Sequence, residues 1–261
     1  MTRTRKRFGQ HFLHDPAVLA HIVQAVSPRP GDHLVEIGPG AGALTAHLLA
    51  TVPRMDAIEI DRDLAADLRR RYADRLVLHE GDALEFDYGA LARERGAGLR
   101  VIGNLPYNIS TPLLFRLLQF VPHIRDLHVM LQREVVDRMA AEPGSDDYGR
   151  LTVMLAPQLH IEKLFDVGPG AFRPPPRVWS AVARLTVLPQ PKFAVTAAFA
   201  PLVTAAFSAR RKTLRNGLRA FVDEAAFAAC GVDPGARPET LSPAQFAALA
   251  ALARPPQPVI P

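Results

Sequence analysis

Five short apolar runs recur through the first half of the chain, over His33–Ile37, 55–60, 75–79, 99–102 and 127–131. Segments with helical periodicity lie among them, over Ala43–Leu49, Arg62–Tyr72 and 112–120, with another over 134–141. Strands apolar on both faces that alternate with helices are the pattern of a parallel sheet covered on both sides, so the pattern predicts an α/β fold. Ahead of the first strand, Asp15 is placed to cap a helix and Pro16 to fill its first turn. Val18, Leu19, Ile22, Val23 and Val26 supply its apolar face, and Pro28, Pro30 and Gly31 end it.

The second half changes character. A helix is expected over 148–159 and a late strand over 179–187. Between them, residues 168–176 carry so much Pro and Gly that a stiff surface loop is expected rather than regular structure. Leu188-Pro-Gln-Pro191 reads as a linker, and the Ala-rich remainder has helical patterning only. These shifts predict a first domain over residues 1–189 and a small helical domain over 190–261.

The chain has 261 residues and a net charge of +5. The placement of its charges is more informative than the excess. Arg3, Arg5, Lys6 and Arg7 form one basic cluster, and Arg210, Arg211, Lys212, Arg215 and Arg219 form another. Two such clusters point to a polyanionic partner. Residues 208–220 read as one helix with Leu214, Leu218 and Phe221 on one stripe and Arg211, Arg215 and Arg219 on another, suited to the phosphates of a structured RNA. No run approaches the roughly 18 apolar residues of a membrane span, and the basic start is followed by no apolar signal segment. The single cysteine, Cys230, excludes an internal disulfide and reads as a small residue in an Ala-rich helix. A cytosolic monomer is expected, with no metal, since the nine histidines show no ligand spacing.

Two motifs carry the chemistry. The first is Glu36-Ile-Gly-Pro-Gly40-Ala-Gly42, at a strand-to-helix junction where glycines let the backbone approach a ligand closely. Glu59 ends the next strand, where a carboxylate accepts both hydroxyls of a ribose. That constellation suits NAD or S-adenosylmethionine. The spacing disfavours a dinucleotide, because Ala43 stands where the third glycine of the dinucleotide fingerprint belongs. Glu36 beside the loop also suits a cationic sulfonium ligand better than a pyrophosphate. Asp82, at the end of the third strand, is placed to accept an adenine amine. The plainer readings are a helix cap for Asp82 and an exposed acid paired with Arg62 for Glu59.

The second motif is Asn104-Leu105-Pro106-Tyr107, fed by the fourth strand. The exocyclic nitrogen of adenine is a poor nucleophile, because its lone pair is delocalised into the ring. Carbonyl acceptors from Asn104 and the Leu105 backbone favour a pyramidal nitrogen and stabilise the positive charge that develops on attack. Pro106 fixes the turn, and Tyr107 offers a flat face for an extruded base. No His–Asp or Cys–His pair suggests itself. With a good leaving group, alignment matters more than acid–base help.

These and further segments resemble one family. Lys6-Arg-Phe-Gly-Gln-His-Phe-Leu13, Val35-Glu-Ile-Gly-Pro-Gly40, Ile58-Glu-Ile-Asp-Arg-Asp-Leu64, Gly103-Asn-Leu-Pro-Tyr-Asn-Ile-Ser-Thr-Pro112, Met130-Leu-Gln-Arg-Glu-Val-Val136, Tyr148-Gly-Arg-Leu-Thr-Val-Met154, Phe172-Arg-Pro-Pro-Pro176 and Arg210-Arg-Lys-Thr-Leu-Arg-Asn216 are similar to the bacterial small-subunit ribosomal RNA adenine dimethyltransferases, the kasugamycin-resistance methyltransferases. The resemblance implies a Rossmann-like class I methyltransferase sheet with a small C-terminal all-helical domain. It implies that S-adenosylmethionine is held by His11, Leu13, Gly38, Gly40, Glu59, Asp82 and Asn104. The target base would be held by Asn104, Leu105, Pro106 and Tyr107, with Phe172 on its other face. The implied reaction is dimethylation of two adjacent adenines near the 3′ end of small-subunit rRNA, on a partly assembled particle. Arg210, Arg211, Lys212 and Arg215 would face the RNA.

Two positions depart from the family pattern. His11 stands where Asn is usual, and Trp179 where Asp is usual. Three alternatives remain. A nucleotide-dependent oxidoreductase on the same fold leaves the Asn104 motif and the basic clusters unexplained. A large-subunit rRNA adenine methyltransferase differs in substrate alone. An assembly factor with little turnover is at odds with the intact Asn104–Tyr107 motif.

Overall fold

The computed structural model describes residues 11–96, 98–208 and 212–254. In chain order the elements are β1 (Phe12–Leu13), α1 (Pro16–Val26), β2 (His33–Ile37), α2 (Ala43–Leu49), β3 (Met55–Glu59), α3 (Arg62–Tyr72), β4 (Leu76–Glu80), α4 (Tyr88–Arg95), β5 (Leu99–Asn104), α5 (Ser110–Leu118), β6 (Ile124–Gln132), α6 (Arg133–Met139), α7 (Arg150–Leu155), β7 (Leu159–Val167), β8 (Phe172–Arg173) and β9 (Ser180–Val187). Four helices follow: α8 (Phe199–Ser208), α9 (Leu214–Leu218), α10 (Glu224–Ala229) and α11 (Pro243–Ala251).

Seven strands form one sheet in the order β4-β3-β2-β5-β6-β9-β7. The five strands foreseen in the sequence run parallel, and β9 joins β6 antiparallel. The central strands are wholly buried, with Leu34, Val35, Val101 and Ile102 at 0% exposure, which is why they read as unbroken apolar runs. The α1 start is set as the sequence implied: the Asp15 carboxylate accepts the N–H groups of Ala17 and Val18 at 2.8 and 3.1 Å.

Several elements differ from expectation. Residue 159 opens strand β7 instead of closing a helix, and α7 is only Arg150–Leu155. As the last strand in the order, β7 mixes exposed and half-buried positions, so it lacks the apolar run that marks its neighbours. Helix α4 was not foreseen; Asp87 caps it by accepting the Ala90 N–H at 2.9 Å. The Pro- and Gly-rich segment holds the short strand β8, which pairs with β1 through Leu13 opposite Phe172 and Phe12 opposite Arg173.

The chain divides into two compact units. The first comprises the chain up to Val136 together with Ile161–Val187, and the second comprises Asp137–His160 together with the chain from Leu188 onward. The change near residue 190 therefore coincides with a change of unit, while residues 137–160, expected in the first domain, belong with the second. The core of the second unit includes Tyr148, Phe199, Leu202, Leu214, Leu218, Phe227 and Phe246. Tyr148 is fully buried and donates its hydroxyl to the Leu241 carbonyl at 2.7 Å. The single helix expected over 208–220 is interrupted. Helix α8 stops at Ser208, and α9 starts afresh after Thr213, whose backbone is extended at φ −66°, ψ 156°.

One charged side chain is built into the sheet. Arg100 on β5 is opposite Asp126 on β6, and its Nε lies 3.0 Å from both carboxylate oxygens. It also donates to Asp32 at 2.6 Å and to the Val26 carbonyl at 2.7 Å, tying the end of α1 and the turn before β2 to the sheet. Both carboxyls lie below the usual range against the opposing effect of burial, Asp126 through His128 and then the Arg100 guanidinium, and Asp32 through the Arg29 N–H and then Arg100. Removing one partner of such a buried cluster strands the other charge. Arg100→Ala should lower unfolding free energy by about 3–5 kcal/mol, read from urea denaturation, with the apolar pair Arg100→Met with Asp126→Leu recovering most of it.

Candidate active site

A cavity opens where β2, β3, β4 and β5 end, at the carboxyl edge of the sheet where open α/β folds place ligands. His11, Leu13, Gly38, Gly40, Glu59 and Asp82 all line it, together with Asn104, Leu105, Pro106 and Tyr107. The strand ends explain this convergence. Gly38 follows β2, Glu59 closes β3, Asp82 lies two residues beyond β4 and Asn104 closes β5.

The glycine loop has the backbone its composition implied, with φ of +66° at Gly38, +57° at Gly40 and +79° at Gly42. A Cβ on Gly38 would meet nothing within 4 Å, so it would project into open space on the cavity side of the chain. The Gly40 N–H donates to one oxygen of Glu59 at 3.0 Å, and the Asp61 N–H donates to the other at 2.9 Å. Glu59 is thus locked by backbone rather than paired with Arg62, and each oxygen keeps a lone pair for a ligand. Asp82 accepts the Leu84 N–H at 2.9 Å through one oxygen, so part of its carboxylate does cap the following turn.

Glu36 is buried in the cavity wall and accepts the Thr45 hydroxyl at 2.6 Å. Burial pushes its carboxyl up to about 7, opposed by the Thr45 hydrogen bond and reinforced by the charge of Glu59. Burial raises Glu59 as well, against the Asp61 and Gly40 N–H groups that favour its ionised form. Three carboxylates and no Lys or Arg line the cavity among the described residues. That lining suits a cationic ligand bearing a ribose and an adenine. It does not suit a pyrophosphate, which needs donors and positive charge.

The reacting motif is held from two sides. Asn104 lies opposite Met130, and the Leu105 N–H donates to the Met130 carbonyl at 3.1 Å. The Asn104 amide nitrogen donates to the His11 carbonyl at 3.0 Å, leaving the amide oxygen as its free end. Neighbouring carbonyls are used internally, that of Pro106 by the Ile109 N–H and that of Tyr107 by the Ser110 hydroxyl. The Leu105 carbonyl accepts no such bond among the described residues. The Asn104 amide oxygen and the Leu105 carbonyl are therefore both open among the described residues. The Tyr107 hydroxyl bonds the Ser180 hydroxyl at 2.6 Å, which anchors the tip of the ring, and the His11 ring lies 5.7 Å away, tilted by 31°.

His11 acts through both ends. Its carbonyl orients Asn104, and its ring Nδ1 donates to the Pro174 carbonyl at 2.8 Å. Phe172 is a correction. It is 2% exposed, packs in the core and does not line the cavity, because its pairing with Leu13 turns it inward. It therefore offers no face to a base in this structure. Of the RNA-facing residues, Arg210 and Arg211 lie outside the described residues, as do Arg3, Arg5, Lys6 and Arg7. Lys212 is exposed, and Arg215 is an exposed guanidinium paired with Glu224 at 2.6 Å rather than a bare cation.

Three contributors escaped the sequence reading. Ile60 lines the cavity while 46% exposed, and its signal was an apolar residue placed directly after Glu59. Ser180 orients Tyr107 across 73 positions of sequence, which no local pattern reveals. Thr45 holds Glu36, nine positions away.

A family model described as Ribosomal RNA adenine dimethylase matches residues 1–254. Proteins named Ribosomal RNA small subunit methyltransferase A are similar over nearly the whole chain. The one from Aromatoleum aromaticum is 53% identical, covering 95% of this chain and 93% of its own. The one from Thiobacillus denitrificans is 54% identical, covering 96% and 98%. Among solved structures, a dimethyladenosine transferase from Plasmodium falciparum superposes with a TM-score of 0.73 at 25% identity, covering 93% of this chain and 99% of its own. The 23S rRNA methyltransferase ErmE does so with 0.71 at 27%, covering 92% and 98%.

Glu36 generates a pH prediction. Its carboxyl is raised on folding from 4.5 to about 7, so the stability linked to it is complete below about pH 4.5 and is lost as pH rises through 7. Melting of the ligand-free protein between pH 5 and 8 should show this loss, and Glu36→Gln should remove it.

Proposed function

The chain belongs to the ribosomal RNA adenine dimethylase family, and from that premise we infer that it methylates N6 of two adjacent adenines near the 3′ end of small-subunit rRNA. The protein is a methyltransferase that uses S-adenosylmethionine. The observation that carries the reading is the pair of open acceptors, the Asn104 amide oxygen and the Leu105 carbonyl, beside a cavity walled by acids.

When bound, S-adenosylmethionine supplies a methyl group activated by a sulfonium. Glu59 is placed to hold the ribose hydroxyls and Asp82 the adenine amine, while Gly38 gives room for close approach. Glu36 and Glu59 favour a cation in the cavity. Asn104 and Leu105 take the N–H groups of the target amine, localising its lone pair and stabilising the charge that forms on nitrogen. Tyr107, held by Ser180, stacks on the extruded adenine. No general base is required for attack, because the proton is lost only after nitrogen has become cationic.

The small subunit is favoured over the large one by likeness. Relatives named for the small subunit are 53% and 54% identical, against 27% for the large-subunit enzyme. The substrate form is a partly assembled particle, met by a monomer, with Arg210, Arg211, Lys212 and Arg215 contributing to docking. Exposed Lys212 and Arg215 support that surface. Among the described residues no helix is long and apolar enough to cross a membrane, and no cluster of His, Cys, Asp or Glu is arranged to hold a metal.

Radiolabelled methyl transfer to small subunits lacking the modification tests the reading, with free rRNA and large subunits in parallel. Label should appear as dimethyladenosine in small subunits alone; label in large subunits alone overturns the assignment. Asn104→Ala should lower kcat about 100- to 1000-fold, the usual cost of one transition-state hydrogen-bond partner. It should leave the melting temperature nearly unchanged. Tyr107→Ala should act mainly through loss of base stacking, and Tyr107→Phe should retain most activity. Arg211→Glu with Arg215→Glu should weaken particle binding without changing cofactor affinity, measured by sedimentation and calorimetry.

A further inference from the structure

Five large apolar side chains are conspicuously exposed among the described residues, and Val178 and Trp179 are the only adjacent pair, at 43% and 52%. Ile60, also in the first unit, lines the cavity already described. Nothing in the reaction described so far covers Val178 or Trp179.

The segment that displays them is clamped to the cavity at both ends. At its start, Arg173 pairs with Phe12 and the Pro174 carbonyl takes the His11 ring N–H at 2.8 Å. At its end, Ser180 bonds the Tyr107 hydroxyl at 2.6 Å, and the Trp179 carbonyl accepts the Arg133 N–H at 2.9 Å. His11 and Tyr107 both line the cavity. The intervening Pro174, Pro175 and Pro176 stiffen the chain. One edge of the indole rests on Gly168, where a Cβ would lie 3.6 Å from the ring, and about half of the residue is exposed. Arg173 and Arg177 are exposed on the same segment and pair with no carboxylate among the described residues, and residues 173–180 contain no acid.

We propose that this segment is a subsite for the RNA nucleotide next to the target adenine, with Trp179 stacking on its base and Arg173 and Arg177 meeting its phosphates. The proposal rests on the rRNA reading above. An adenine extruded onto Tyr107 leaves its neighbour without a stacking partner. An exposed indole on a segment that also carries two exposed guanidinium groups, with no carboxylate partner among the described residues, is the combination that captures such a base together with its backbone. Two exposed guanidinium groups, an exposed indole and no acid on one segment match a chain that carries both phosphates and flat bases.

The test measures methyl transfer to unmethylated small subunits at saturating S-adenosylmethionine, for Trp179→Ala, Trp179→Phe and Trp179→Leu. Calorimetry gives cofactor affinity, and melting gives integrity. Trp179→Ala should raise KM for the particle about tenfold, in line with loss of one stacked base, with unchanged cofactor affinity. Trp179→Phe should recover most of that, and Trp179→Leu, which restores packing on Gly168 but cannot stack, should not. An unchanged KM in Trp179→Ala, or full recovery in Trp179→Leu, overturns the subsite and leaves the enzyme reading standing. Wild-type protein that fails to methylate small-subunit rRNA overturns both.

Discussion

The carbonyl of Ile37 occupies the place where a side chain on Gly103 would be: a Cβ there would lie 2.6 Å from the oxygen. This close approach brings the end of β5 against the end of β2, where the glycine loop begins. Both halves of the chemistry depend on it. In the proposed reaction the loop on β2 and the acid on β3 form the cofactor side, and Asn104 on β5 forms the reacting side. With the two strand ends apart, the activated methyl and the target nitrogen have no common origin. Orientation of this kind is where most of the barrier reduction lies when the leaving group is already good.

Electrostatics then selects what enters. Burial raises the carboxyls of both Glu36 and Glu59, and the charge of Glu59 raises Glu36 further. A cation relieves that effect, whereas a pyrophosphate worsens it. The same logic governs the other side of the cavity in the proposed reaction, where carbonyl acceptors that are open among the described residues suit developing positive charge rather than an oxyanion. The site contrasts with the buried charges around Arg100, where opposite signs satisfy one another and the role is structural.

Much of this was legible in the residues because it is local. The parallel strands announced themselves as apolar runs, and Asp15, Gly38 and Pro106 are each explained by the turn or cap they occupy. The failures were equally physical. β7 ends the strand order and carries mixed polarity, so it had no distinctive run to read. Residues 208–220 have helical periodicity throughout, yet the extended backbone of Thr213 divides them. Phe172 was assigned to the base because its motif resembles others, but pairing of β8 with β1 turns it into the core.

The sequence by itself determined the sheet type and the cofactor class and pointed to the proposed reacting motif, because strand patterning, a glycine loop and a short acceptor turn are all encoded within a few neighbouring residues. Tertiary structure alone decided which groups serve those motifs. His11 reaches Asn104 across 93 positions and Ser180 reaches Tyr107 across 73. It also decided that Trp179 stays exposed while Phe172 is buried, although only seven positions separate them in the sequence. Contacts of that range depend on how strands far apart in the chain are brought side by side, and no local propensity records it.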